Sequence, residues 1–114
     1  MFRDTPQAFA TDPQALAIAE KAVVHGLDRQ LLFVQRWFMY LPFEHSENLV
    51  DQRQSVQLFS QLEEDPDSQE AISYAIRHRQ VIEQFGRFPH RNRILGRPST
   101  PPELVFLQQP GSWF

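Results

Sequence analysis

Apolar residues recur along the chain with a helical period in four successive stretches, and no stretch alternates with the period of two that a half-buried strand requires. Asp12-Pro13 opens the first as N-cap and first helical residue, and Leu16, Ala19 and Val23 keep one face apolar until Gly26 supplies a stop. The second begins at Leu27-Asp28. Its Leu31, Leu32, Val34, Trp37, Phe38, Tyr40 and Leu41 leave few polar positions beyond Arg29, Gln30, Gln35 and Arg36, so this helix is expected to be mostly buried and to end before Pro42. Pro42 to Ser46 reads as a connector. Ser46 then suits the N-cap of a third helix with Glu47 in its first turn and Leu49, Val50, Val56, Phe59 and Leu62 on its apolar face, closed by Glu63-Glu64-Asp65-Pro66. A fourth helix runs from about Asp67, with Ala71, Ile72, Ala75, Ile76, Ile82 and Phe85 on one side and Gly86 at its end. Near the C-terminus, Thr100-Pro101-Pro102-Glu103 has the form of a capping box and opens a short helix over Leu104–Gln109, which Pro110-Gly111 stops.

These elements predict an all-α fold of about five helices. Short connections join the first helix to the second and the third to the fourth, so each pair is expected to form an antiparallel hairpin, and two stacked hairpins make a bundle or a solenoid fragment. At 114 residues the whole chain, 1–114, fits one domain able to bury roughly two-thirds of its unfolded surface. Phe2, Ala8 and Phe9 in the lead-in Met1–Thr11, and Trp113-Phe114 at the other end, are expected to pack back onto apolar surface.

Composition narrows the functional classes. Cysteine is absent, which removes disulfides, thiolate chemistry and Cys-ligated zinc. No apolar run approaches the ~20 residues of a membrane span and no signal pattern opens the chain, so a soluble, cytoplasmic protein without membrane contact is expected. Net charge is -3, yet Arg77 to Arg97 holds six arginines against the single acid Glu83. Lys21 is the one lysine. Arginine in such excess suits forked, fixed partners such as carboxylates, phosphates or helix-end carbonyls. Overall acidity and the scarcity of lysine argue against nucleic acid as the partner.

The chemistry-bearing stretch is Phe85–Gly96, where Arg87, His90, Arg91, Asn92 and Arg93 alternate with aromatic and aliphatic residues. After Pro89 a turn of helix with free N–H groups is expected, and there Asn92 and the arginines could converge on an anion. Its counterpart is Glu44-His45-Ser46-Glu47 at the junction of the second and third helices, one imidazole among carboxylates. Two readings stand side by side. In one, Glu44 or Glu47 is itself the anion, an arginine pairs with Glu44, and the basic stretch is a clasp anchored by Phe88 and Leu95. In the other, the locus binds a small anion, or His45 or His90 acts with Glu44 as a general base or metal ligand. His78, flanked by Arg77 and Arg79, reads as a hydrogen-bonded helix residue.

Four motifs taken in order, Thr5-Pro6-Gln7-Ala8-Phe9-Ala10-Thr11-Asp12, Tyr40-Leu41-Pro42-Phe43-Glu44-His45-Ser46-Glu47, Arg77-His78-Arg79 and Gly86-Arg87-Phe88-Pro89-His90-Arg91-Asn92 with Leu95-Gly96-Arg97, resemble the bacterial family called domain of unknown function 924. The resemblance spans nearly the entire chain and implies a tetratricopeptide-like helical arrangement; it implies no activity, since the family has none assigned. Members of the family usually carry a further N-terminal helical section, and this chain begins about where that section ends. The expectation is an apolar face without its usual cover, buried by self-association into a dimer or by another protein.

The sequence therefore predicts a helical binding or interaction module with Glu44, His45, Arg87, His90, Arg91 and Asn92 as its candidate ligand-binding residues and a small anionic ligand or carboxylate as one possible occupant. The competing expectation is a hydrolase using His45 or His90 with Glu44, with or without a divalent metal. No catalytic residue, cofactor or metal-ligand spacing is specified by any motif.

Overall fold

The computed structural model describes residues 12–62, 68–110 and 112. These form six α-helices and two 3-10 turns: α1 (Asp12–Val24), a turn over Leu27–Gln30, α2 (Phe33–His45), α3 (Leu49–Ser60), α4 (Ser68–Phe85), a turn over Pro89–Arg91, α5 (Asn92–Leu95) and α6 (Pro101–Leu107). There is no strand among the described residues. The all-α reading holds, with six helices in place of about five because the basic segment itself winds into α5. The helices stack as antiparallel hairpins, α1 against α2, α2 against α3 and α3 against α4, while α2 also reaches α4.

One apolar cluster, Ala19, Tyr40, Phe43, Leu58, Phe59, Leu62 and Ala75, joins the first four helices. A second consists of Val81, Ile82 and Phe88, with Leu49, Phe85 and Phe106 leaning on it, and it fixes the C-terminal segment to α4. Phe88 thus serves as the anchor expected of it; Leu95 is only half-buried and belongs to neither cluster.

The second helix departs from expectation in three ways. Gly26, at a φ of 69°, ends α1 in the left-handed region and passes the chain into the 3-10 turn, after which Leu31 and Leu32 are extended and α2 begins only at Phe33. The turn is held by a buried polar anchor. The Tyr40 hydroxyl donates to Asp28 Oδ2, and Arg36 Nε donates to the Tyr40 hydroxyl at 3.0 Å. Next, α2 does not stop before Pro42 but continues through it to His45. Proline removes the N–H that would bond the Phe38 carbonyl, and the helix continues without that one bond. Last, α2 is not mostly buried, since Phe33, Val34 and Phe38 all lie open.

The start of α3 is also shifted. Asn48, not Ser46, is its N-cap and accepts from Val50 N at 2.8 Å. Ser46 is the C-cap of α2; its hydroxyl accepts from Asn48 N at 3.1 Å and donates to Asp51 Oδ2 at 2.7 Å. Buried Gln52 completes the joint, its amide donating to the Glu44 and Ser46 carbonyls, each at 2.6 Å. Because α3 starts two residues late, Glu47 lies outside the helix and faces the C-terminal segment. Val50, expected in the core, is 67% exposed.

Local signals elsewhere were read correctly. Gly86 has a φ of 74° just past α4, and the Thr100 capping box forms in full, with Glu103 N donating to Thr100 Oγ1 at 3.3 Å and Thr100 N to Glu103 Oε1 at 2.8 Å. The helix it opens ends at Leu107, short of Gln109. The expectations for Met1–Thr11, Glu63–Asp67, Gly111 and Trp113-Phe114 fall outside the described residues.

Candidate functional site

The basic segment is first of all a clasp. Glu47 accepts from Arg97 Nη1 at 2.9 Å, from Arg97 Nη2 at 3.1 Å and from Phe88 N at 2.6 Å. Burial works to raise the Glu47 carboxyl, but the Arg97 bonds, the Phe88 N–H and the charges of Arg97 and Arg91 outweigh it and hold the group below its ordinary value. Arg97 also donates to the Phe88 carbonyl at 3.1 Å and to Asn92 Oδ1 at 3.0 Å, and Asn92 donates to Ser99 Oγ at 3.1 Å. Arg87 forks onto Glu103, at 2.8 Å through Nε and 2.7 Å through Nη2, and reaches the Pro98 carbonyl at 2.8 Å. Those bonds hold Glu103 down at about 2. The network ties the junction of α2 and α3 to the turn after α4, and the capped end of α6 to that same turn.

A second layer gathers around the Phe88 ring. The Arg91 guanidinium lies 4.8 Å from the ring centroid and donates to the His45 carbonyl at 2.7 Å. The His78 ring meets Phe88 edge-on at 5.5 Å, and the His90 ring is tilted against it at 5.6 Å. His78, from the middle of α4, donates from Nδ1 to the Tyr74 carbonyl at 2.8 Å, and the same nitrogen stands 3.1 Å from Glu44 Oε1 in the last turn of α2. Glu44 and His78 are buried, as is Arg91; His90 is half-buried and His45 is exposed. The corner thus has a closed floor and an open rim.

Burial decides protonation on the floor. It raises the Glu44 carboxyl to about 7 and lowers His78 to about 4, the latter helped by the charges of His45, His90 and Arg77 against the pull of the Tyr74 carbonyl. His90 also falls to about 4, through burial and then the Arg91 charge, with Arg97 adding to it and Glu47 opposing. His45 is lowered by desolvation and by Arg91, partly offset by Asp12, although the residue remains open on its outer side.

Of the six candidate residues, the structure therefore brings Glu44, His45, His90 and Arg91 to one corner, while Arg87 and Asn92 lie in the clasp. The arginine expected to pair with Glu44 pairs instead with Glu47, and Glu44 faces His78. His78 is the hydrogen-bonded helix residue the sequence suggests, bonded to the carbonyl of Tyr74, whose ring is 4.9 Å away; its place in the corner, facing Glu44 and the Phe88 ring, was not legible because those partners come from other elements. Among the described residues no group of three or more His, Asp or Glu side chains is placed to hold a metal ion. A separate cleft of about 510 Å³ between α4 and α6, lined by Arg77, Gln80, Gln84, Val105 and Phe106 among others, includes none of the six candidates. No helix of the described residues is long and apolar enough to cross a membrane.

The model of a bacterial family of unknown function, DUF924, matches residues 1–111. The chain belongs to this family. A solved structure of a protein of unknown function from Agrobacterium tumefaciens is similar over 95% of this chain, with 39% sequence identity and a TM-score of 0.85. The DUF924 chain described here spans 58% of the length of that protein. Among curated proteins none matches.

Proposed function

We propose that this DUF924 protein is a cytoplasmic binding module, tetratricopeptide-like in its stacked hairpins, whose corner between α2 and α3 takes a small carboxylate or phosphate ligand. The observation that carries the reading is the packing of His78, His90 and Arg91 about Phe88, with Arg91 bonded to the His45 carbonyl. Glu47 is matched by Arg97 and Glu103 by Arg87, and burial favours the uncharged form of Glu44. Burial holds the imidazoles neutral and cationic neighbours hold them further down. An anion seated against Arg91 offsets both effects, so binding draws protons onto His45 and His90 at the open rim.

Titration calorimetry with inorganic phosphate and with succinate, each run in two buffers of different ionisation heat, tests this. Saturable heat with proton uptake is expected, and His90→Gln weakens binding about tenfold, a loss of ~1.4 kcal/mol. Arg29→Gln, at an exposed position outside the corner, leaves it unchanged. Absence of heat beyond dilution with both anions overturns the reading.

One observation favours an enzyme instead. Burial lifts the Glu44 carboxyl to about 7, a range that suits a general acid working near neutrality, and the His78 Nδ1–H stands 3.1 Å from it. On that reading Glu44→Gln abolishes hydrolysis of a phosphoester or carboxylic ester and leaves anion affinity intact. Equal loss of both, or no turnover by the parent, speaks against it.

A further inference from the structure

The cleft between α4 and α6 lies apart from the histidine corner, and two helical stripes line it. On α4 the stripe is Arg77, Gln80, Val81 and Gln84, which i, i+3, i+4, i+7 spacing sets in a row along one face. On α6 and just beyond it the same spacing gives Pro102, Val105, Phe106 and Gln109. Val81 is buried and Phe106 half-buried, and they make an apolar floor that Phe85 braces, its ring edge-on to Phe106 at 5.2 Å. The segment after α6 is tied down as well: the Ser112 hydroxyl donates to the Leu107 carbonyl at 3.1 Å, and Gln109 N donates to the Phe106 carbonyl at 3.0 Å. Exposed carboxamides thus come from both walls, Gln80 and Gln84 from one and Gln109 from the other, with Arg77 at one end of the α4 row.

We infer that this cleft is a binding site for an N-acylated dipeptide with apolar side chains and a free carboxylate. The sign of the ligand follows from the lining, which has one guanidinium and, among the described residues, no carboxylate. The Tyr74 ring, 5.6 Å from the Arg77 guanidinium, steadies it, and the forked N–H groups of arginine suit a carboxylate. With no acid to receive an ammonium group, the other end of the ligand is acylated. A carboxamide offers both a donor and an acceptor, as a peptide bond does, so a glutamine meets an amide of the ligand through N–H and C=O alike. None of the three glutamine side chains is held by a hydrogen bond among the described residues. Length agrees. Arg77 and Gln84 are seven residues apart, about 10 Å along a helix, and an extended chain covers that in roughly three units, an acyl group and two residues. Volume agrees too, since about 510 Å³ lies within the roughly 300–1,000 Å³ of small-molecule sites. The apolar side chains rest on Val81, Val105 and Phe106, which removes their surface and that of the floor from water.

The test is proton–nitrogen correlation NMR of the full chain titrated with N-acetyl-leucyl-leucine, with its C-terminal amide and with unacetylated leucyl-leucine. Saturable shifts are expected in the side-chain amides of Gln80, Gln84 and Gln109 and along the backbone of α4 and α6. The C-terminal amide, which takes the charge away from Arg77, binds at least about tenfold more weakly, and the unacetylated dipeptide also binds more weakly. Gln84→Ala weakens the acid about fivefold; alanine at this exposed position keeps the helix, which circular dichroism confirms. No saturable shift into the millimolar range, equal binding of the acid and its amide, or undiminished affinity in Gln84→Ala overturns the inference. Shifts confined to residues around Phe88 put the ligand in the corner and overturn it equally.

Discussion

Removing Glu47 measures the clasp directly. Its side chain and that of Arg97 retain 26% and 24% of their surface, so the pair lies between two regimes. Exposed pairs contribute about 0–1 kcal/mol, whereas breaking a fully buried pair costs about 3–5 kcal/mol. Glu47→Ala also strands the Phe88 N–H, which otherwise bonds at 2.6 Å, and an orphaned donor of this kind costs about 1–3 kcal/mol. Together these give a loss of about 3 kcal/mol. In a chain of this size that lowers the midpoint of thermal unfolding by roughly 10–20 °C. Urea unfolding followed by far-ultraviolet circular dichroism gives the free energy, provided the slope against denaturant is unchanged. Arg97→Ala is expected to cost as much, and the double variant little more than either, because the two act as one unit. A loss within about 0.5 kcal/mol for Glu47→Ala refutes the reasoning and makes the clasp a surface contact.

Further expectations follow from the buried groups. His78 and His90 titrate at about 4 in the folded chain against an ordinary 6.5, so stability is lost as pH falls through that window; Glu44, at about 7 against 4.5, has the opposite sign, and its contribution is lost as pH rises from 4.5 to 7. The two imidazoles outweigh the one carboxyl, so urea midpoints rise from about pH 4 to about pH 7 and then level off, and Glu44→Gln steepens the rise; a parent that loses stability between about pH 5 and 7 contradicts this. Tyr40→Phe deprives buried Asp28 of its hydroxyl donor and costs about 1–3 kcal/mol by the same urea assay, with a neutral result showing that the anchor of the 3-10 turn is dispensable. Gly96, at a φ of 68° after α5, has open space where a Cβ would stand, so Gly96→Ala costs only the left-handed backbone, about 1–2 kcal/mol.

What the sequence revealed and what it hid divide by distance along the chain. Gly26, Gly86 and the Thr100 capping box are local devices, each fixed by a backbone conformation or a side chain a few residues away, and each was legible. Pro42 misled because it costs one hydrogen bond in the last turn of α2, while the buried side chains Tyr40, Phe43 and Glu44 on both sides of it hold the helix together as far as His45. Asn48 displaced Ser46 as the cap because buried Gln52 gathers the carbonyls at the end of α2, a contact eight residues long that no capping rule contains. The acid partner of the basic segment was legible only as a choice between Glu44 and Glu47. Arg97 reaches across fifty positions to settle it, and the same packing sends Glu44 to His78. Exposure of Phe38 was hidden for a related reason: helical periodicity marks which positions are apolar, and only packing decides which of them are covered.

The central claim is that an anion binds at the corner of His45, His90 and Arg91, and the chain contains its own control, since its four histidines include exposed His25, just past the C-terminal end of α1. The most direct measurement follows the four imidazole Hε1 resonances by NMR at neutral pH as inorganic phosphate is added at constant ionic strength. The account predicts that His45 and His90 move saturably toward their protonated positions while the His25 resonance does not move. Equal drift of all four resonances, or none, contradicts it and leaves the corner as a clasp alone.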